Sequence, residues 1–465
     1  MLFSSLEFLL LFLPVTLAVA LRLRGQALLR FVALASVVFY AFAGHWWFVA
    51  PMLATTAIDY VVAIGIERAR RPPARHWLLG LSLAGNLGLL AWFKYSGLLA
   101  RTAESALGLL GFSVGPGAAR WLEVALPAGI SFYTFQTLSY VIDVWRAEAP
   151  AERNFARFAG FVSFFPHLVA GPLTRHHQLI PQLARIAATG IEPRWRAGVL
   201  LFSIGLAKKV LIADRLGNLV DPLLGSGADL DLVSGWLALM GYAFQIYFDF
   251  SGYSDMAIGL GRLFGIELPQ NFDSPYQALS PRDFWRRWHM TLSSWLRDYL
   301  YIPLGGNRCS PARRRVNLMA TMVLGGLWHG ASWTFAAWGA WHGALLVLHQ
   351  SLPAWDRLSP FWQRNLTFSL VTIGWVFFRA DSFPRAWQWL ASLVGVHGLG
   401  AAWTAETAAL SALVLACLVI VRMCPNSQQI DLGRLGALPQ VGLAAASALS
   451  IVLMNYGSKF LYFQF

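Results

Sequence analysis

Of the 465 residues, 57% are hydrophobic and 14% aromatic, while only 13% carry charge, about half of the roughly 25% usual in a soluble globular domain. That composition excludes a soluble domain and fits a chain that crosses a bilayer many times. The balance of 36 Lys and Arg against 23 Asp and Glu, net +13, would suggest nucleic acid in a soluble protein, but here the cations gather in short stretches between apolar runs.

Apolar runs near the ~20 residues that a transmembrane helix needs recur at 3–21, 29–43, 46–66, 77–93, 122–142 and 156–173. They continue at 197–217, 232–258, 316–348, 365–378, 406–421 and 437–456. The pattern predicts an all-α polytopic membrane protein with about eleven to thirteen transmembrane or re-entrant helices. The first run ends in Ala18, Val19 and Ala20 like a secretory signal, but Glu7 precedes it and Arg22, Arg24 and Arg30 follow it. A signal carries its positive charge on the other side, so this run is expected to be an uncleaved first span with its N-terminus outside. Three basic clusters mark expected cytoplasmic loops by the positive-inside rule: Arg68, Arg70, Arg71 and Arg75; Lys208 and Lys209; Arg308 and Arg313, Arg314 and Arg315.

Between 102 and 120 a short apolar stretch is broken by Gly108, Gly111, Gly115, Pro116 and Gly117, which suits a re-entrant or interfacial segment. Polar linkers and internal repeats are not evident, and residues 1–465 read as a single membrane domain. Cys309, Cys417 and Cys424 lack metal-type spacing, so neither a zinc site nor a disulfide is expected.

Ionisable side chains in apolar surroundings are the informative ones, because each needs a partner, a cavity or a function. His176 and His177 follow Gly171, Pro172 and Arg175 in what reads as a solvated polar loop. Asp249 and Asp255 in YFDFSGYSDM fit a helix-packing brace as readily as a site. GLGRLFG at 259–265 misses dinucleotide-binding spacing by one residue. From 281 to 315, PRDFWRRWHMTLSSWLRDYLYIPLGGNRCSPARRR places Trp285, Trp288, Leu292, Trp295 and Leu296 at helical spacing. Arg286, Arg287, Arg297 and Asp298 supply the polar side. Such a segment predicts an amphipathic helix at the membrane interface, ended by Gly305, Gly306 and Asn307. Within it, His289 is flanked by two arginines and followed by hydroxyls, a setting for polarising an acyl group or for an interfacial hydrogen bond.

His329, in VLGGLWHGAS, lies in a run from Val316 to Leu348 that contains no Asp, Glu, Lys or Arg. About 13 residues of helix would carry it roughly 20 Å from the basic loop. Gly325, Gly326 and Gly330 strip side chains from its surroundings, so that a backbone or a narrow substrate can approach. His342 repeats the phrase as AWHG thirteen residues on, about 220° around a continuous helix. A chain break near Gly339 would set it near the opposite membrane face, and it reads as structural.

FWRRWHMTLSSWLRDYLYIPLGGNR, followed about twenty residues later by GGLWHG, resembles the bacterial polysaccharide branch of the membrane-bound O-acyltransferases, in particular its alginate-acetylating members. FSSLEFLLLFLP, WFKY (92–95), LPAGISFYTFQTLSYVIDVWR (126–146), FFPHLVAGPLTR (164–175), YFDFSGYSDMAIGLG, GWVFFRA (374–380) and FLYFQF at the end carry the likeness along most of the chain. The resemblance implies a ring of transmembrane helices around a central tunnel, with His329 in the place of the family's essential histidine and His289 in that of its second functional residue. It implies acetyl transfer from a cytoplasmic thioester, acetyl-CoA or an acyl carrier protein, with no tightly bound cofactor and no metal. His329 would act as general base, and His289 would hold or polarise the carbonyl. Trp285, Arg297, Asn307 and Trp328 are the expected substrate contacts. A periplasmic acetyltransferase partner, membrane lipids and an exported polysaccharide acceptor are implied as partners, with alginate favoured over cellulose or peptidoglycan, in a bacterial inner membrane. Two other classes fit the composition: a transporter or flippase for a lipid-linked sugar, and a scaffold without chemistry of its own.

Overall fold

The structure is a computed structural model that describes residues 1–112, 124–225, 229–400 and 404–454. Among the described residues there are helices and turns and no β-strand. The all-α class expected from hydropathy is what the chain forms. Two compact units make up the fold, Met1–Val199 with Ala257–Pro269, and Leu200–Met256 with Gln270–Phe465. Trp46–Arg68, Pro72–Leu109 and Ala405–Met423 are long and apolar enough to cross a membrane by length and composition, and Phe8–Ala20, Gly25–Ala41 and Ala437–Leu453 are shorter apolar helices. Of the other apolar runs, 232–258 and 365–378 each lie within one helix, Leu232–Leu263 and Pro360–Arg379, whereas 197–217 is interrupted by a π-helical turn and 316–348 by an extended glycine.

In the first unit a π-helical turn at Phe8–Phe12 leads into α1 (Leu13–Ala20), α2 (Gly25–Ala41), α3 (Val49–Arg68), α4 (Pro72–Leu90) and α5 (Ser96–Leu109). Then come α6 (Ile130–Trp145), α7 (Phe155–Ser163) and α8 (His176–Thr189). Of the glycine-broken stretch expected to be re-entrant, the first part continues α5, whereas residues 113–120 lie outside the described residues, as does the closing FLYFQF. A buried carboxylate joins three helices. Asp59 on α3 accepts from Ser82 Oγ at 2.6 Å and from Asn86 Nδ2 at 2.9 Å, both on α4, and Asn86 in turn accepts from Thr137 Oγ1 on α6 at 3.3 Å. In an apolar surround a polar group must find such partners. His176 also departs from expectation. It opens α8 instead of lying in a solvated loop, and its Nδ1 stands 3.5 Å from Asp143 Oδ2 with both side chains largely covered.

In the second unit α9 (Trp195–Ala207) passes through a π-helical turn at Lys208–Ala213 into α10 (Asp214–Gly225), followed by α11 (Leu232–Leu263). Gly205 and Gly252 face each other so closely that a Cβ on Gly205 would come 2.5 Å from the Gly252 carbonyl oxygen. That approach sets Lys208 and Lys209 against α11. Lys208 Nζ lies 2.6 Å from Asp255 Oδ2, and Lys209 Nζ lies 2.7 Å from both Asp249 Oδ1 and Asp214 Oδ1. The two lysines are therefore a buried ion-pair network inside a helical run and not a cytoplasmic loop. Consecutive cations look the same in sequence whether water or carboxylates surround them. Asp249 and Asp255 take the role of braces. The polar residues after the helix Ala405–Met423 join the network, Ser427 Oγ accepting from Lys208 at 3.2 Å and Gln428 Nε2 donating to Asp255 at 3.1 Å.

Candidate active site

The stretch expected to form one amphipathic helix is two. α12 (Pro281–Arg287) starts where Ser280 Oγ accepts the Asp283 N–H at 3.1 Å and Pro281 presets the first turn. Backbone pairing with an upstream stretch of chain ends it, since Asp273 N–H donates to Arg287 O at 2.9 Å and Met290 N–H to Asn271 O at 2.9 Å. Arg287 is held from both sides, its Nε donating to Asp283 Oδ1 at 2.9 Å and its Nη1 to Asp273 O at 3.2 Å. The chain then turns at His289, whose backbone is left-handed at φ 43°, ψ 51°, and resumes as α13 (Met290–Leu296). A non-glycine residue in that region is strained. Here the strain aims an imidazole that is 1% exposed. His289 rests on the edge of Phe250 at 4.7 Å between ring centroids. α12 and α13 are too short to span a membrane, and burial pushes the His289 pKa down to about 3. The imidazole is neutral at physiological pH.

The 316–348 run folds as a helical hairpin, α14 (Pro311–His329) and α15 (Trp333–Ser351). Ser310 caps the first helix, its Oγ accepting the Arg313 N–H. The break falls at Gly330–Ser332, not at Gly339 as expected, because Gly330 is extended (φ −155°, ψ 149°) and Ser332 Oγ accepts the Thr334 N–H to start the return helix. Gly339 serves the opposite purpose. A Cβ there would come 2.2 Å from Met322 O, and one on Gly326 would come 2.2 Å from Phe335 O. Of the two approaches that Gly326 was expected to allow, a backbone or a narrow substrate, the backbone of the facing helix takes the space, and Gly339 answers it from the other side.

This hairpin puts His329 at the last position of α14, 5% exposed. Aromatic rings enclose it: Trp328 and Trp338 edge-on, each at 5.1 Å, and Phe378 at 5.4 Å, the last from α16 (Pro360–Arg379). The His289 ring lies 6.3 Å from it. Trp338 also packs at 4.9 Å against His342, so the two histidines of the repeated phrase share one tryptophan between them. Both ring nitrogens of His342 lack a hydrogen-bond partner among the described residues, and Trp285 and Phe284 cover it at 5.2 and 6.0 Å.

The fold brings together His289, His329 and Trp328, which lies 6.1 Å from His289. Trp285 sits one layer away, 5.7 Å from Trp338. Arg297 pairs with its neighbour Asp298 at 2.6 Å and is 62% exposed. Asn307 is exposed, accepts from Tyr301 OH at 2.8 Å, and precedes a helix that carries His329 about 27 Å further along its axis. Sequence reading missed Asn271, Trp338 and Phe378. Asn271 accepts from His289 Nδ1 at 3.2 Å across 18 residues of chain, a separation that no local spacing marks in the sequence.

Two imidazoles at this separation inside an aromatic enclosure suit proton transfer at a reacting centre placed between them. Residues 146–377, which include both histidines, match the membrane-bound O-acyltransferase family. The chain is 42% identical over 405 residues to a probable alginate O-acetylase of Azotobacter vinelandii, covering 84% of this chain and 78% of that protein. A probable alginate O-acetylase of Pseudomonas aeruginosa is 43% identical over 397 residues, 83% of this chain and 74% of its own length. A peptidoglycan O-acetyltransferase of Helicobacter pylori is 39% identical over 402 residues, 79% and 73% of the two lengths.

Proposed function

The chain belongs to the membrane-bound O-acyltransferase family, and from that premise we propose that it passes an acetyl group from a cytoplasmic thioester donor across a bacterial inner membrane for O-acetylation of an exported polysaccharide. Alginate is the favoured acceptor, because the probable alginate O-acetylases match over about four-fifths of the chain. Peptidoglycan and cellulose are the other polymers to test. A periplasmic acetyltransferase partner would complete delivery to the polymer.

The observation that carries this reading is the pairing of His289 and His329, rings 6.3 Å apart, at the end of a buried helical hairpin. In the reaction an acceptor hydroxyl gives its proton to His329 as its oxygen bonds to the acetyl carbon. The C–S bond breaks, and the thiolate leaves with that proton, so that an ester and a thiol replace an alcohol and a thioester. General-base help of this kind is typically worth 10²- to 10⁴-fold, and alignment of the two substrates supplies the rest. Trp328, Trp285, Arg297 and Asn307 remain the proposed substrate contacts, Trp328 beside the reacting atoms and Asn307 toward the entry of the donor.

Purified full-length protein incubated with acetyl-labelled coenzyme A or acetyl-loaded acyl carrier protein, with partner protein and oligosaccharide added, tests the reading. Label in the saccharide that depends on this chain is expected. Transfer that proceeds equally without it would reduce the chain to a scaffold.

A further inference from the structure

The side chain of Asn271, 1% exposed, has a single orientation compatible with its neighbours. One amide atom receives the backbone N–H of Thr291 at 3.3 Å and Thr291 Oγ1 at 2.9 Å, while the other lies 3.3 Å from Ser254 Oγ. Amide oxygen and nitrogen are told apart by such partners. A backbone N–H can only donate, so the atom facing Thr291 must be the oxygen. His289 Nδ1 lies 3.2 Å from that same oxygen. Two atoms that both accept would repel there, and the hydrogen must be on Nδ1. A neutral imidazole carries one hydrogen, and Nε2 then carries the lone pair.

We propose that Asn271 is a positioning residue of the acyl-transfer site, holding His289 in the Nδ1–H form so that its Nε2 meets substrate as a hydrogen-bond acceptor. This rests on the acyl-transfer reading above and deepens it. It reverses the part that the family resemblance suggests for His289, because a neutral ring with its lone pair at Nε2 cannot donate to a carbonyl oxygen. What it can do is receive a second O–H of the acceptor, next to the attacking hydroxyl, and so aim the attacking oxygen at the acyl carbon while that oxygen's own proton goes to His329. Carbonyl polarisation then falls to other donors. The left-handed backbone at His289 and the Met290 N–H bond to Asn271 O at 2.9 Å fix the ring relative to the amide from a second direction. The pair is thus held through both backbone and side chain.

Nitrogen-15 NMR of histidine-labelled full-length protein in lipid nanodiscs reads the tautomer directly, with the His289 signal assigned by its loss in His289→Asn. The expected spectrum has a protonated Nδ1 and an unprotonated Nε2. A His289 signal with its proton on Nε2 in the wild-type protein would overturn the proposal. Two variants add a functional readout, both checked for wild-type elution on gel filtration. Asn271→Ala is expected to lower polymer acetylation by about tenfold or more and to mix the two tautomers. Asn271→Asp, which still accepts from Nδ1, is expected to keep the Nδ1–H signal and to recover part of the activity. Equal activity of wild type and Asn271→Ala would also sink it. If the tautomer is as stated but label reaches the saccharide equally without this chain, the acyl-transfer reading fails and the Asn271–His289 lock stands. If the proton is on Nε2 and the His329→Ala protein is inactive, the lock fails and the acyl-transfer reading stands.

Discussion

His289 and His329 approach each other with their rings 6.3 Å apart and inclined by 64°, although forty residues, a loop and most of a helix separate them in sequence. One is at a strained turn between two short helices and the other at the last position of a long one.

Replacing His329 with Ala or Gln should leave polymer export at the wild-type level and cut its acetylation by roughly 10²-fold or more, the range expected for loss of a general base. Mass analysis of exported polymer measures both quantities at once. Acetylation that survives in His329→Ala would remove this residue from the mechanism.

His289 is expected to matter for turnover and to make the protein acid-sensitive. Its folded pKa, about 3, lies below the ordinary histidine value of 6.5, so the unfolded chain binds a proton that the folded chain does not between those two limits. Stability therefore falls as pH drops from about 6.5 toward 3, and is unaffected by this group above that window. Thermal unfolding in detergent across pH 4 to 8, a span of about four units, should show a smaller acid loss in His289→Asn than in wild type. The same variant should have reduced activity at pH 7 with undiminished protein in the membrane.

The glycines of the hairpin have a purely steric duty. Gly326→Ala and Gly339→Ala each drive a methyl to 2.2 Å from a facing carbonyl oxygen, and should destabilise by about 1–3 kcal/mol or more. Gly85→Ala on α4, where nothing lies within 4 Å, should be neutral or slightly stabilising, since alanine favours helix by up to about 1 kcal/mol. Melting temperatures of the three variants distinguish packing from a general intolerance of substitution.

The network around Lys209 predicts an asymmetry. Lys209→Met alone leaves Asp249 and Asp214 buried without their shared cation, which typically costs about 3–5 kcal/mol, and little folded protein should be recovered. Adding Asp249→Asn and Asp214→Asn removes the stranded charges and should restore a large part of the yield, as read by monodisperse gel-filtration peak area. Equal yields from the single and triple variants would mean that the pairing contributes nothing to the fold.

The amino-acid sequence by itself determined the membrane class and the helical content, and it singled out the two histidines of the candidate site. Hydrophobic composition and an ionisable group in an uncharged run are properties of local stretches, and they need no knowledge of what lies across the bilayer. Three-dimensional contacts decided the rest. Lys208 and Lys209 read as loop cations until Gly205 and Gly252 brought α9 and α11 close enough to pair them with Asp255 and Asp249. The segment from 281 to Gly305 read as one amphipathic helix until the backbone of 271–273 broke it at His289, and the glycines beside His329 read as room for either a backbone or a narrow substrate until α15 took the room beside Gly326. Asn271, 18 residues from the imidazole it orients, left no periodic trace at all. Hydropathy is summed along the chain, whereas hydrogen bonds and close backbone approach join residues that only folding makes neighbours, and the chemistry of His289 depends on the second kind.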